Sequence, residues 1–185
     1  VPITLKMRLG VDRDHMNAPR IARIAQDAGV SMLSVHGRTR ACGYRGETDY
    51  DGIAHVVEAV DIPVLANGDI SSPEQASAVL KRTGAAGVMI GRAAQGRPWL
   101  PGQIRAALAG KTVPPAPCGE ALRQLVRTHI AKLHRQYGTE QGLRIARKHI
   151  GWYLERHRPG SDRRPILEIT DATRQLAAID AVFSA

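Results

Sequence analysis

The first ~110 residues repeat one pattern four times: a short apolar strand, a polar turn, then an amphipathic helix. The strand segments are residues 3–8, 31–37, 62–69 and 86–91, with starts about 25 to 30 residues apart. That period suits βα units laid side by side in a parallel sheet. The helical segments carry their own punctuation. Ile21, Ile24, Ala25 and Ala28 recur at helical spacing before Gly29, and Ile53, Val56, Val57 and Val60 do the same. Ser72-Pro73 reads as an N-cap followed by the first helical residue, with Ala76, Val79 and Leu80 turned inward and Gly84 just past the end.

Strand parity narrows the architecture. Side chains alternate faces along a strand, so Ile3, Leu5 and Met7 oppose Thr4, Lys6 and Arg8, while Leu33 and Val35 oppose Ser34, His36 and Arg38. One face is fit to pack under helices, and the other turns polar toward the strands' C-terminal ends. A doubly wound sheet buries both faces in apolar residues. A (β/α)8 TIM barrel gathers the polar set at its C-terminal mouth, where such barrels keep their chemistry. Four units are half of a barrel, and a complete one takes about 250 residues. The expectation is therefore an α/β chain: the C-terminal half of a (β/α)8 TIM barrel, with its N-terminal half missing upstream of Val1.

The 185 residues carry 26 Lys and Arg against 17 Asp and Glu, a formal net charge of +9 that suits a polyanionic partner. Cys42 and Cys118 lack paired spacing, which argues for a reducing compartment and against a disulfide framework or metal site. No apolar stretch approaches the roughly 20 residues of a membrane span, and no signal peptide is visible. A cytoplasmic monomer is the expectation. The proline-rich stretch from Lys111 to Cys118 reads as a linker, dividing the chain into a barrel half over residues 1–112 and a helical domain over 113–185. In the second part Leu122, Leu125, Val126, Ile130 and Leu133 mark one helix. Leu143, Ala146, Ile150, Tyr153 and Leu154 mark another, with Thr139 as N-cap, and residues 172–183 form a third. From residue 116 onward, twelve Lys and Arg face seven Asp and Glu.

Four strand ends present Lys6-Met7-Arg8, His36-Gly37-Arg38, Asn67-Gly68-Asp69 and Gly91-Arg92. In many barrels the loops after the last two strands hold a phosphate against a helix N-terminus. Glycine there admits the main chain close to phosphate oxygens, and Arg92 can add a forked ionic contact. The same glycines also suit tight turns. Lys6, on the inward face, is placed either to neutralise an anion or to pair with a barrel carboxylate, and His36 either to donate to a ring oxygen or a phosphate or to be hydrogen-bonded within the structure. Arg144, Arg147 and Lys148, at i, i+3 and i+4, share a helix face that is either solvated or set against phosphates. Trp152 and Tyr153 read as core or domain-interface aromatics.

"LKMRLG", "VHGRTR", "IPVLANGDI" and "VMIGRAAQGRPW" occur in this order, followed in the tail by "RIARKHIGWYL". Taken together they resemble the bacterial tRNA-dihydrouridine synthases, most of all the B-type subgroup, over residues 1 to about 180. The resemblance implies an FMN enzyme that reduces uridine in folded tRNA to dihydrouridine, with NADPH as reductant. Hydride would pass from reduced flavin N5 to uracil C6, and an acid would protonate C5. It implies flavin contacts at Lys6 and His36 and a phosphate held by Asn67, Gly68, Asp69, Gly91 and Arg92. It also places Arg38, Arg40 and Tyr44 near the substrate uracil, and gives the helical domain, with Arg144, Arg147 and Lys148, the task of gripping tRNA. The family's proton-donating cysteine would lie upstream of Val1, so no catalytic residue is assigned within this chain, which is expected to be inactive alone. Two other readings stay open: another FMN- or phosphate-binding barrel oxidoreductase acting on a small metabolite, and a non-catalytic RNA-binding module.

Overall fold

The structure is a computed structural model that describes residues 1–184. Four strands, β1 (Thr4–Arg8), β2 (Met32–His36), β3 (Val64–Asn67) and β4 (Gly87–Met89), pair in parallel and in chain order. The register aligns Lys6 with Ser34, Leu65 and Gly87, and two residues on it aligns Arg8 with His36, Asn67 and Met89. Helices α1 (Ala18–Asp27), α2 (Tyr50–Val57) and α3 (Pro73–Thr83) alternate with the strands, and a 3-10 turn (Arg92–Ala94) and α4 (Leu100–Leu108) follow β4. The chain divides into two compact units, residues 1–94 with 100–113, and residues 95–99 with 114–185.

In the first unit the apolar strand face packs under the helices. Leu33, Val35, Val64 and Ala66 are at most 2% exposed and share a core with Ala22, Ala25, Ile53, Val56, Ala76, Val79 and Ile104. Helix starts follow the chemistry of their caps. Asp49 accepts a hydrogen bond from the Gly52 amide at 2.8 Å, and Ser72 accepts one from Gln75 at 3.2 Å, each satisfying an otherwise orphan donor. Gly84 ends α3 in the left-handed region, φ 67°. The face of α1 differs from its expected one. Ala18, Ala22 and Ala25 pack inward, while Ile21 and Ile24 are exposed, because the small alanines allow α1 to lie close on the sheet.

The second unit is built from α5 (Gly119–Tyr137), α6 (Thr139–His157), α7 (Arg164–Leu167) and α8 (Ala172–Ser184). Its core joins Leu122, Val126, Ile130, Ala146, Ile150, Tyr153, Leu154, Ile166, Ile179 and Phe183. Thr139 is the first helical residue rather than the cap. Gly138 alone separates α5 from α6, with a φ of 76° that suits glycine and turns the chain back in one residue. The short α7 had no periodic signal, since four residues are about one turn.

The crossing of α5 and α6 depends on Gly142, where an added Cβ would stand 2.7 Å from His134 Cα and 2.9 Å from the Leu133 carbonyl oxygen. Around Gly151, in the same helix, nothing lies within 4 Å of that position. Gly142→Ala is expected to cost about 1–3 kcal/mol in denaturant unfolding through overpacking against backbone. Gly151→Ala is expected to be neutral or to stabilise by up to about 1 kcal/mol through helix propensity. Equal effects of the two changes would contradict this packing.

Candidate anion-binding site at the strand tips

The C-terminal rim of the sheet collects cations because parity puts them there. Lys6 and Arg8 alternate with Leu5 and Met7, and the register carries the same face through Ser34 and His36 to Asn67. Lys6 is exposed on this face and has no ion pair or hydrogen bond among the described residues; burial of its stem and the neighbouring Arg8 hold its pKa below the usual lysine value. His36 is 6% exposed. Burial first, and then the charges of Arg8, Lys6 and Arg38, lower its pKa to about 4, so the imidazole is neutral at neutral pH. Asn67 donates from Nδ2 to the Met89 carbonyl at 2.8 Å and so braces β4 against β3.

Asp69 organises the rim. Its carboxylate pairs with Arg38, accepts from Arg92 at 3.1 Å and accepts from the Thr48 hydroxyl at 3.2 Å. The Arg38 hydrogen bond is the main reason its pKa lies below the usual carboxylate value. Asp69 adopts a positive φ of 47°, a conformation Asp tolerates better than most residues, and Gly68 before it has φ 134°. A Cβ on Gly68 would meet Thr48 Cγ2 at 2.6 Å and the His36 ring at 3.2 Å, whereas Gly91 has nothing within 4 Å. The two glycines therefore divide between the two roles open to them. Gly68 serves a close-packed turn, braced by the Tyr50 hydroxyl donating to its carbonyl at 2.7 Å. Gly91 leaves open space in front of the main chain. Arg92 begins only a three-residue 3-10 turn, so the expected helix N-terminus behind Gly91 is not there and cannot supply a helix dipole.

Two arginines pin the loop between β2 and α2. Arg8 donates from Nη1 to the carbonyls of Thr39 and Gly43 at 2.7 and 2.8 Å, and Arg38 donates to those of Arg45 and Gly46. The loop thereby holds Tyr44 over the cations. The Arg92 guanidinium lies 4.2 Å from the Tyr44 ring centroid, Arg8 lies 5.7 Å from it, and the His36 ring is 6.3 Å away. Arg38, expected near a substrate, is instead 4% exposed and wholly engaged by Asp69 and the loop carbonyls, except for Nη1, which is buried without a partner. Arg40 is exposed on the same loop. Cys42 receives a hydrogen bond from Thr39 Oγ1 at 3.1 Å within the loop. The residues that sequence reasoning left unassigned are Arg8, Thr48 and Tyr50. Arg8 was legible, since it shares the face of Lys6; the other two reach the rim by a loop whose course no periodicity reports.

In the second unit, Arg144 and Lys148 line a groove along α6, but Arg147 does not join them; it is half-buried, with Nε enclosed and unpartnered. The three lie along one side of α6, with Arg147 on its inner edge and Arg144 and Lys148 on its exposed edge. Among the described residues no cluster of metal-ligating side chains occurs, and no helix is long and apolar enough to cross a membrane.

A parallel α/β sheet whose C-terminal rim gathers Lys6, Arg8, His36 and Arg92 defines a protein of the α/β class. The family model of dihydrouridine synthase (Dus) matches residues 1–185, and the chain belongs to that family. It is 50% identical over 185 residues to tRNA-dihydrouridine synthase B of Serratia marcescens, and 49% identical to the proteins of that name from Salmonella typhimurium and Escherichia coli K12. These alignments cover 99% of this chain but 55%, 57% and 57% of the relatives, so it spans somewhat over half their length. A solved nitroalkane oxidase from Streptomyces ansochromogenes, 29% identical, aligns with 49% of this chain and 33% of its own at a TM-score of 0.31, too slight a likeness to carry an argument.

Asp69→Asn removes the carboxylate from a nearly buried guanidinium. Breaking a fully buried pair costs roughly 3–5 kcal/mol; here about 1–3 kcal/mol is expected, since the Asp69 side chain is 42% exposed. Because the folded-state pKa of Asp69 is lowered, its contribution is complete above the ordinary carboxylate range near pH 4 and is lost as pH falls through the folded value. Urea unfolding should thus show a gap between wild type and Asp69→Asn at pH 7 that narrows below about pH 4. A gap independent of pH would contradict the ion pair.

Proposed function

We propose that this chain is part of a flavin-dependent tRNA-dihydrouridine synthase of the B type, reducing uridines of tRNA with NADPH as the source of reducing equivalents. The in-order parallel strands and the one-sided polar face support reading the first unit as half of a (β/α)8 barrel, since a doubly wound sheet would reverse its strand order at a switch point. The observation that carries the reading is the convergence of Lys6, Arg8, His36, Gly91 and Arg92 on one rim of a sheet whose whole sequence fits the family.

The residues present fit an FMN. The space before Gly91 admits an oxyanion against main chain, Arg92 stands beside it, and Lys6 has no counter-charge among the described residues, while the rim's carboxylate, Asp69, is already paired with Arg38 and Arg92. Gly91 and Arg92 would hold the phosphate; Lys6 and neutral His36 would face the ring system. Bound there, the reduced flavin supplies the hydride for the uracil ring. The exposed Lys6 ammonium, unpaired among the described residues, would provide the positive charge that stabilises an anionic ring. His36, kept neutral by burial, donates one hydrogen bond without adding a further charge to the rim. Arg8 and Arg38 act on the loop rather than on substrate: they fix Tyr44 and Arg40 at the edge, where a uridine and its phosphates would enter. Neither Cys42, held by Thr39 within its loop, nor Cys118 in the linker is assigned as the proton donor, which we place outside these residues.

Lys6→Ala in a protein of the relatives' full length is expected to weaken FMN binding about ten- to a hundredfold, the weight of one charged hydrogen bond, and to lower the dihydrouridine content of tRNA in nucleoside mass spectrometry. Unchanged flavin affinity and unchanged dihydrouridine would remove Lys6 from the site.

A further inference from the structure

Thr48, Asp49 and Tyr50 fill the gap between two strand-end glycines. The Asp49 amide donates to the Gly37 carbonyl at 2.7 Å, and the Gly37 amide donates to the Asn67 carbonyl at 3.0 Å. A Cβ on Gly37 would stand 2.6 Å from Thr48 Cγ2, the separation that the same methyl would have from a Cβ on Gly68. The three residues are thus wedged between the ends of β2 and β3, with room for glycine alone on both sides. Asp49 also caps α2, so the helix begins at Tyr50 with its course already set.

Tyr50 turns its side chain back toward the wedge. Its ring packs against the core of the first unit, and its hydroxyl donates to the Gly68 carbonyl at 2.7 Å. Burial, and then the Asp69 charge, raises its pKa, so the hydroxyl keeps its proton and stays a donor at neutral pH. That one bond fixes a peptide plane. The Gly68–Asp69 peptide is trans, so its N–H points opposite to the carbonyl that Tyr50 holds. Among the described residues the Asp69 amide donates to no protein acceptor. The same plane sets where the Asp69 side chain leaves the main chain, at φ 47°, and that carboxylate accepts from Arg92 at 3.1 Å. Asp tolerates a positive φ without selecting it, and such a conformation persists only where its surroundings hold it. Tyr50 supplies that hold from the helix side of the turn.

We propose that Tyr50 is a positioning residue for the flavin phosphate: by holding the Gly68 carbonyl it presents the Asp69 amide and, through the Asp69 carboxylate, the Arg92 guanidinium to that group beside Gly91. The proposal rests on the reading of the strand tips as an FMN site. Tyr50 itself needs no contact with the flavin. Its hydroxyl acts on the phosphate end alone, so its loss bears on FMN and spares riboflavin, which has the same ring system and no phosphate.

The test is a titration of both flavins, followed by flavin fluorescence, into flavin-free protein of the relatives' full length. The wild type should bind FMN about tenfold or more tighter than riboflavin, since only FMN brings an anion to Arg92. Tyr50→Phe keeps the ring and removes the hydroxyl. It should weaken FMN binding about two- to tenfold, the weight of one neutral hydrogen bond, and leave riboflavin binding unchanged. Riboflavin thereby reports that the variant is folded. Equal losses for the two flavins would make Tyr50 a packing residue only, and unchanged FMN affinity would remove its hydroxyl from the site; either result overturns the proposal. A wild type that binds neither flavin, or both alike, would sink the strand-tip reading and this proposal with it, before any variant is compared.

Discussion

The ion pair between Arg38 and Asp69 is the interaction on which the rest of the rim depends. It joins the end of β2 to the end of β3, and one guanidinium at 4% exposure also carries the carbonyls of Arg45 and Gly46. An enclosed arginine is costly unless its donors are met, so the loop from 39 to 48 takes the course that meets them. Arg8 repeats the device from β1 through Thr39 and Gly43. The loop is thereby drawn down to the sheet and Tyr44 is set over Arg92. Because Asp69 also pairs with Arg92, the carboxylate distributes its charge between a buried and a half-exposed cation. Among the described residues Lys6 is left without a counter-charge. The rim thus carries an excess of positive charge.

Much of this was legible in the sequence. Strand parity gave Lys6 and His36 a common face, and the cap residues Ser72 and Gly84 delimited α3 as the structure has it. Legibility failed where a residue's partner lies far along the chain. Arg38 reads as a loop-edge cation because nothing local reports the carboxylate thirty-one positions on. Gly68 reads as a phosphate glycine because the Thr48 side chain against it arrives by a loop. The inward face of α1 was misread for a different reason: hydropathy ranks Ile21 and Ile24 above alanine, whereas close approach to the sheet selects Ala22 and Ala25.

The second unit shows the same contrast within one helix. Spacing groups Arg144, Arg147 and Lys148, yet only the four-residue step keeps Arg144 and Lys148 in a common groove, and Trp152 extends that stripe while Tyr153 turns into the core. The dihydrouridine synthase family model spans residues 1–185 and so places both units in one family context. Arg8 and Arg38 are engaged by loop carbonyls, and Arg38 also by Asp69, whereas Arg144 and Lys148 make no ion pair among the described residues.

The most direct measurement of the central claim is a crystal structure, with FMN bound, of a protein of the relatives' full length. The account predicts the flavin phosphate against the main chain of Gly91 and Arg92, the Lys6 ammonium and the His36 ring facing the isoalloxazine, and Arg38 still paired with Asp69. A phosphate bound away from Gly91 and Arg92, or Arg38 released from Asp69 to contact the ligand, would contradict it.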